Sequence, residues 1–328
     1  MKHVMKYFLL LCFCGIIISC NEKAEDIKPV DDDGSEHIER EPLDFQAEIE
    51  QGATFKVGDT VVFILAGNAH MVSFYAGTFG NAYDYHDQDR FYDVMPMLSF
   101  ESAKSAGNNP DCATLYYSDE FDGNYTYENV KSVNWKPITD RFELSPLPEE
   151  AGLINTFSGE VNISDTFSSD TPIYFAWHCT TDAASQRTQF RVQNFTLRGV
   201  VEDNPSLSST LYTQVATGFQ WLLNDAAASQ GSNLPSVSST QLLWNGIFNN
   251  LSGTYKEGYA VSVPLELPQF NAGKDKPTVL LPMNDNTWSN HTFVYDKPGE
   301  YEVVFIGAYL DAGDQPEIIK KLTVKIEE

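Results

Sequence analysis

Lys321-Leu322-Thr323-Val324-Lys325-Ile326 alternates without a break. In an extended chain Leu322, Val324 and Ile326 fall on one face and Lys321, Thr323 and Lys325 on the other, the pattern of an antiparallel strand with one face buried. The same reading extends outward from there. Upstream lie Thr292-Phe293-Val294-Tyr295, the turn Asp296-Lys297-Pro298-Gly299 and a further apolar run from Tyr301 to Ile306. Far toward the other terminus, Thr60-Val61-Val62-Phe63-Ile64-Leu65 stops at Ala66-Gly67-Asn68, and Met71-Val72-Ser73-Phe74-Tyr75 stops at Ala76-Gly77. Short apolar runs cut by Gly, Pro, Asn and Asp are strands and turns. Between the two ends, 113–117, 172–179 and 190–197 read as strands joined by longer loops. The expected class is all-β, built from two β-sandwiches of which the middle one is a jelly roll. Helical spacing is found in one place, Tyr212 to Ala228, where Val215, Phe219, Leu222 and Leu223 predict a single short helix.

The first twenty residues have a different logic. Lys2 and Lys6 precede an apolar run from Tyr7 to Ile18, which ends in Gly15-Ile16-Ile17-Ile18-Ser19-Cys20. A basic start, roughly a dozen apolar residues and a cysteine at the cleavage position resemble a bacterial lipobox. Residues 1–19 are therefore expected to be a lipoprotein signal peptide and Cys20 the lipidated first residue of the mature chain. Residues 20–41, with Asp31-Asp32-Asp33-Gly34 and almost no large apolar side chains, read as a flexible acidic tether. Glu22, Glu25 and Asp26 resemble the signal that sends some lipoproteins to the outer face of the outer membrane. Localisation there, lipid-anchored and facing the exterior, is the expectation.

The 328-residue chain carries 46 acidic against 21 basic side chains, a formal charge of −25, and losing the signal leaves 19 basic side chains. Such a field disfavours nucleic acid as a partner. Abundant Tyr, Phe, Asn and Asp with few Lys and Arg suits a neutral, hydroxyl-rich ligand, although exported β-proteins without a ligand share that composition.

Longer motifs point to a family. Phe55-Lys56-Val57-Gly58-Asp59-Thr60-Val61-Val62-Phe63, then Gly67-Asn68, Ser73-Phe74-Tyr75-Ala76-Gly77 and Arg90, resemble the opening half of a PKD-like, immunoglobulin-like domain of surface lipoproteins in polysaccharide-utilisation systems. Tyr295-Asp296-Lys297-Pro298-Gly299-Glu300-Tyr301 resembles its closing half, Tyr-x-x-Pro-Gly-x-Tyr before a strand. The segments 115–125 and 135–140 are similar to the jelly-roll module of the same proteins, many of them known only as domains of unknown function. The resemblance implies a PKD-like β-sandwich made of two halves, 42–97 and 270–328, with 98–269 inserted as a jelly roll of carbohydrate-binding-module type.

A sugar ring stacks its C–H face on an aromatic ring while its hydroxyls bond to Asn, Asp and Gln. Tyr83, Tyr85, Arg90, Phe91 and Tyr92 form the first candidate glycan site, in a segment too polar for a core strand. Trp221, Trp244 and Trp288, each near an Asn in loop-like sequence, form the second, whereas Trp135 and Trp177 read as core. Asp119, Asp122 and Asn124, in an acidic turn, are candidate ligands of a structural calcium, against the alternative of a solvated hairpin turn. Cys112 and Cys179 form either a disulfide, if their Cα atoms come within about 7 Å, or two buried thiols. His70, His86 and His178 are scattered and read as structural. Glu120-Phe121-Asp122-Gly123-Asn124-Tyr125 falls short of the Glu-x-Asp-x-x-Glu strand of jelly-roll hydrolases, because the last acid is missing. The expected function is a non-catalytic surface lipoprotein that binds a polysaccharide or oligosaccharide beside an outer-membrane importer complex. The alternatives are an adhesin-like or structural spacer and, behind it, a glycoside hydrolase.

Overall fold

The computed structural model describes residues 41–328 except 51, 53, 106, 150–151, 168–170, 246–250, 283–287 and 311–315. Strands from the two ends of the chain pair with each other. Thr60–Gly67 lies between Phe45–Ile49 and His291–Val294 in a three-stranded antiparallel sheet. A second sheet runs Thr278–Leu280, Met71–Tyr75, Gly299–Ala308, Ile318–Glu327, Thr54–Lys56, with the last pair parallel. The inward residues of both sheets interlock as one core of Phe45, Val61, Phe63, Phe74, Phe305 and Val324. The rings of Phe63 and Phe74 lie 5.2 and 4.9 Å from that of Phe305, and burying each contributes about 2 kcal/mol. Gly307 is required here, because a Cβ on it would meet the Phe45 ring at 2.5 Å. In Ile318–Glu327, Val324 and Ile326 are buried and Lys321, Thr323 and Lys325 exposed, so the opening alternation is realised as drawn. The Tyr-x-x-Pro-Gly-x-Tyr motif also acquires a physical role. Tyr295 is buried with its hydroxyl donating to Ala76 O at 3.0 Å, and Tyr301 packs on its ring at 4.3 Å.

Residues 95–261 form two further sheets. One is ordered Val161–Asn162, Met95–Ser105, Gln189–Val200, Leu242–Trp244, Ser236–Val237, with Ile154–Phe157 and Ser208–Tyr212 on its flanks. The other is ordered Gln220–Leu223, Lys256–Val261, Tyr174–Thr181, Ala113–Ser118, Lys136–Pro137. Phe100, Phe175, Trp177, Phe190, Phe195 and Trp244 fill the space between them. Near the middle of Gln189–Val200 the pairing with Met95–Ser105 slips between Gln193 and Thr196, and Asn194 takes φ +53° there. Asn tolerates that left-handed conformation, and the bulge sets Phe195 into the core, 6.1 Å from the ring of Phe100. The class is all-β with sandwiched sheets, as the periodicity indicates.

The helix expected over Tyr212 to Ala228 is corrected. Strand Ser208–Tyr212 ends there, Gly218 turns the chain at φ +56°, and strand Gln220–Leu223 follows. Val215 is exposed, so the apparent 3.6-residue stripe is not a buried face. Only Asp225–Ala228 is helical, capped by Asn224 Oδ1, which accepts from Ala227 N at 2.8 Å. The other α-helix among the described residues, Tyr127–Ser132, is N-capped by Thr126 and packs against Gln220–Leu223 and Lys256–Val261. Where the chain passes from the outer sheets to the middle ones and returns, Arg90–Tyr92 pairs with Phe270–Gly273 as a two-stranded ribbon.

Candidate functional site

That ribbon is the joint of the molecule, and Arg90 is its centre. Arg90 Nη1 donates to Asp275 Oδ2 at 2.9 Å, and its guanidinium lies 4.4, 5.1 and 5.3 Å from the ring centres of Tyr85, Tyr92 and Phe79. Asp275 is buried, accepts also from Ala82 N at 2.9 Å, and donates its own N–H to Tyr85 O. Burial pushes the Tyr92 hydroxyl up to about 12, with Arg90 pulling the other way. The first aromatic group thus divides. Tyr85, Arg90 and Tyr92 are spent on one another and on Asp275. Tyr83 stacks on His86 at 4.1 Å and meets Tyr75 edge-on at 5.5 Å, while Phe91, in the middle of its strand, is 53% exposed.

The surface this cluster supports belongs to Phe79, a residue the sequence reading passed over. Phe79 stacks on Tyr92 at 4.5 Å, and remains 37% exposed. Its turn is held tightly. Gly77 has φ +75° and a Cβ on it would meet Glu302 O at 2.6 Å, while Asn81 Oδ1 accepts from Ala76 N and Asn81 Nδ2 donates to Lys276 O. Phe79 lines a cleft of about 620 Å³ with Phe293 and Tyr301 of the outer sandwich and with Asp203 and Asn204, in the turn between Gln189–Val200 and Ser208–Tyr212. Asp296 and Lys297 complete the wall. The Tyr301 hydroxyl donates to Lys297 O at 2.9 Å, which fixes the Asp296-Lys297 turn at the cleft's rim. Aromatic faces, carboxylates and an amide meet there in one concave space, the composition a small polar ligand needs.

The tryptophans are less available. Trp244 is fully buried, which removes it from any surface platform: Leu242–Trp244 pairs in register with Phe190 to Val192, and the indole turns inward beside Thr181. Trp221 is half-buried against it at 5.4 Å, with Nε1 donating to Ser236 O. Trp288 donates Nε1–H to Ala69 O and meets Phe45 edge-on. Trp177 is core as expected, and Trp135 is half-buried with Nε1 bonded to Val130 O.

The acidic turn is a hydrogen-bonded loop that leads from strand Ala113–Ser118 to helix Tyr127–Ser132. Asp119 pairs with Lys136 at 3.0 Å, and Asp122 Oδ1 accepts from Asn124 N and Asn129 Nδ2, which also donates to Asn124 O. Those bonds hold the Asp122 carboxyl below the usual range. Among the described residues no three His, Cys, Asp or Glu converge as metal ligands. Cys112, just before strand Ala113–Ser118, and Cys179, in the neighbouring strand Tyr174–Thr181, are free, buried thiols, both pushed up by burial, so of the two alternatives the structure holds the thiols. Cys20 and the segments around it lie outside the described residues.

A second cluster went unseen in the sequence. Glu257, in the buried strand Lys256–Val261, lies on the side of its sheet away from the main core. Its oxygens take the Tyr127 hydroxyl, His178 Nε2 at 2.8 Å and the Tyr259 hydroxyl at 3.4 Å, with Lys131 Nζ at 3.9 Å. Burial alone would raise this carboxyl, but the bonds from Tyr127 and His178 outweigh it and hold it below its ordinary value. Burial lowers His178 more than Glu257 raises it, so the imidazole is neutral at neutral pH and donates from Nε2. Burial next to Glu257 pushes Tyr255 up to about 12. A charged pair, Lys256-Glu257, opening an otherwise apolar strand was the one available signal.

The family model described as a domain of unknown function, DUF5017, matches residues 35–218, more than half of the chain and inclusive of Phe79, Arg90, Asp203 and Asn204. The comparisons with curated proteins and with solved structures give no match.

Proposed function

We propose that this chain, which belongs to the DUF5017 family, is a non-catalytic lipoprotein of the outer-membrane surface that captures a neutral glycan in the cleft beside Phe79. One observation carries the reading: an exposed aromatic face is backed by a stack of Tyr92 and Arg90 and faces Asp203, Asn204 and Asp296 across a space of about 620 Å³. A ring held rigidly loses little entropy on binding, and its neighbours offer carboxylate and amide oxygens to sugar hydroxyls. The sequence around Cys20 supports an acyl anchor, and the acidic balance supports an uncharged ligand delivered to an importer complex. Affinity electrophoresis and calorimetry on the mature chain against a panel of neutral polysaccharides test this. Binding that weakens in Phe79→Ala and varies little with salt is expected, and absence of binding across the panel rejects it.

A further inference from the structure

At the far end of the middle sandwich, the turn after strand Tyr174–Thr181 carries Arg187, a guanidinium only 2% exposed. Its Nη2 donates to Asn233 O at 3.3 Å, and Nε and Nη1 are buried with no acceptor. Burial brings its pKa down to about 10, and no carboxylate stands near enough to offset that. Lys256, 8% exposed, is close enough for Arg187 to lower its pKa, after burial, which is the larger cause. The Lys256 ammonium has oxygen partners in Ser252 and Thr254, none of them charged. Gln230, whose carbonyl caps the turn that ends at Asn233, has both side-chain polar atoms buried and unpaired. In a chain of charge −25, two buried cations without a carboxylate are an anomaly. A buried charge is retained only where something compensates it, and buried donors without acceptors mark a water or an ion.

We propose that Arg187 holds a small, dehydrated monatomic anion, chloride in the exterior medium, with Nε–H and Nη1–H as donors. The occlusion of these atoms selects a small ion over a sugar carboxylate attached to a chain. Water would satisfy the donors and leave the guanidinium charge uncompensated, whereas a halide satisfies the donors and offsets that charge. This inference stands apart from glycan capture.

Thermal unfolding of the mature chain at constant ionic strength, in sodium chloride against sodium gluconate, tests it. The midpoint is expected to rise by about 3 °C as chloride replaces gluconate, and to show no such difference in Arg187→Met. A crystal soaked in sodium bromide is expected to show an anomalous peak within hydrogen-bonding distance of Arg187, and this holds even if the variant fails to fold. Equal midpoints in the two salts, or a bromide map whose only feature at Arg187 is a water, would overturn the proposal.

Discussion

The joint around Arg90 and the tyrosine face around Glu257 both bury a charge, and they do so in opposite ways. At the joint a cation is enclosed by one carboxylate and three rings, and its partner lies 185 residues away in sequence. On the face an anion is enclosed by hydroxyls and a neutral imidazole, all drawn from one sandwich. The joint therefore clamps the outgoing and returning passages of the chain between the sandwiches to each other and presents Phe79 to the cleft, while the face pins helix Tyr127–Ser132 to its own sheet. Aromatic residues surround both charges, and only their exposure distinguishes a ligand platform from a support.

The comparison breaks most readily at the joint. Arg90→Met would leave the Asp275 carboxylate buried without its cation, and should cost about 3–5 kcal/mol in chemical denaturation. Arg90→Lys should recover only part of this, since an ammonium cannot present a flat face to three rings. At the face, Glu257→Gln keeps the shape and removes the charge that the Tyr127 hydroxyl and His178 bond to, so a loss of about 2 kcal/mol is expected.

Acid sharpens the contrast further. His178 and Glu257 both have folded values below their unfolded ones, 6.5 and 4.5, so the unfolded chain takes up protons first. Their contribution is complete above pH 6.5 and is lost as pH falls, first through His178 and then, below 4.5, through Glu257. Denaturation midpoints measured between pH 7 and pH 5 should decline in the native chain and decline less in His178→Gln.

Much of the fold was legible because burial imposes period two on strands. Leu322, Val324 and Ile326 declare their face locally, and Tyr295 and Tyr301 sit in a motif whose turn residues are adjacent. The misread helix near Val215 shows the limit, since a few apolar residues at helical spacing satisfy the template without a buried stripe. The site was half legible. The polar, aromatic segment 83–92 stood out in the sequence, but Phe79, which stacks on its Tyr92, precedes it, and Asp275, which satisfies Arg90, follows by 185 positions. Of the partners of Glu257, only Tyr259 follows from the period of the strand, while His178 and Tyr127 lie 79 and 130 residues away and no spacing rule joins them. Trp244 beside Asn245 looked like loop sequence because its pairing with Phe190 is a tertiary fact.

The most direct test of the account is titration of the mature chain and of Phe79→Ala with the best-binding neutral oligosaccharide from the panel, followed by calorimetry. The account predicts at least about a tenfold weaker affinity in the variant, equivalent to about 1.4 kcal/mol, with a cooperative thermal transition only a few degrees lower, because the ring, though stacked on Tyr92, is already 37% exposed. Undiminished affinity in Phe79→Ala would place the sugar elsewhere and contradict the claim that the joint presents its binding surface.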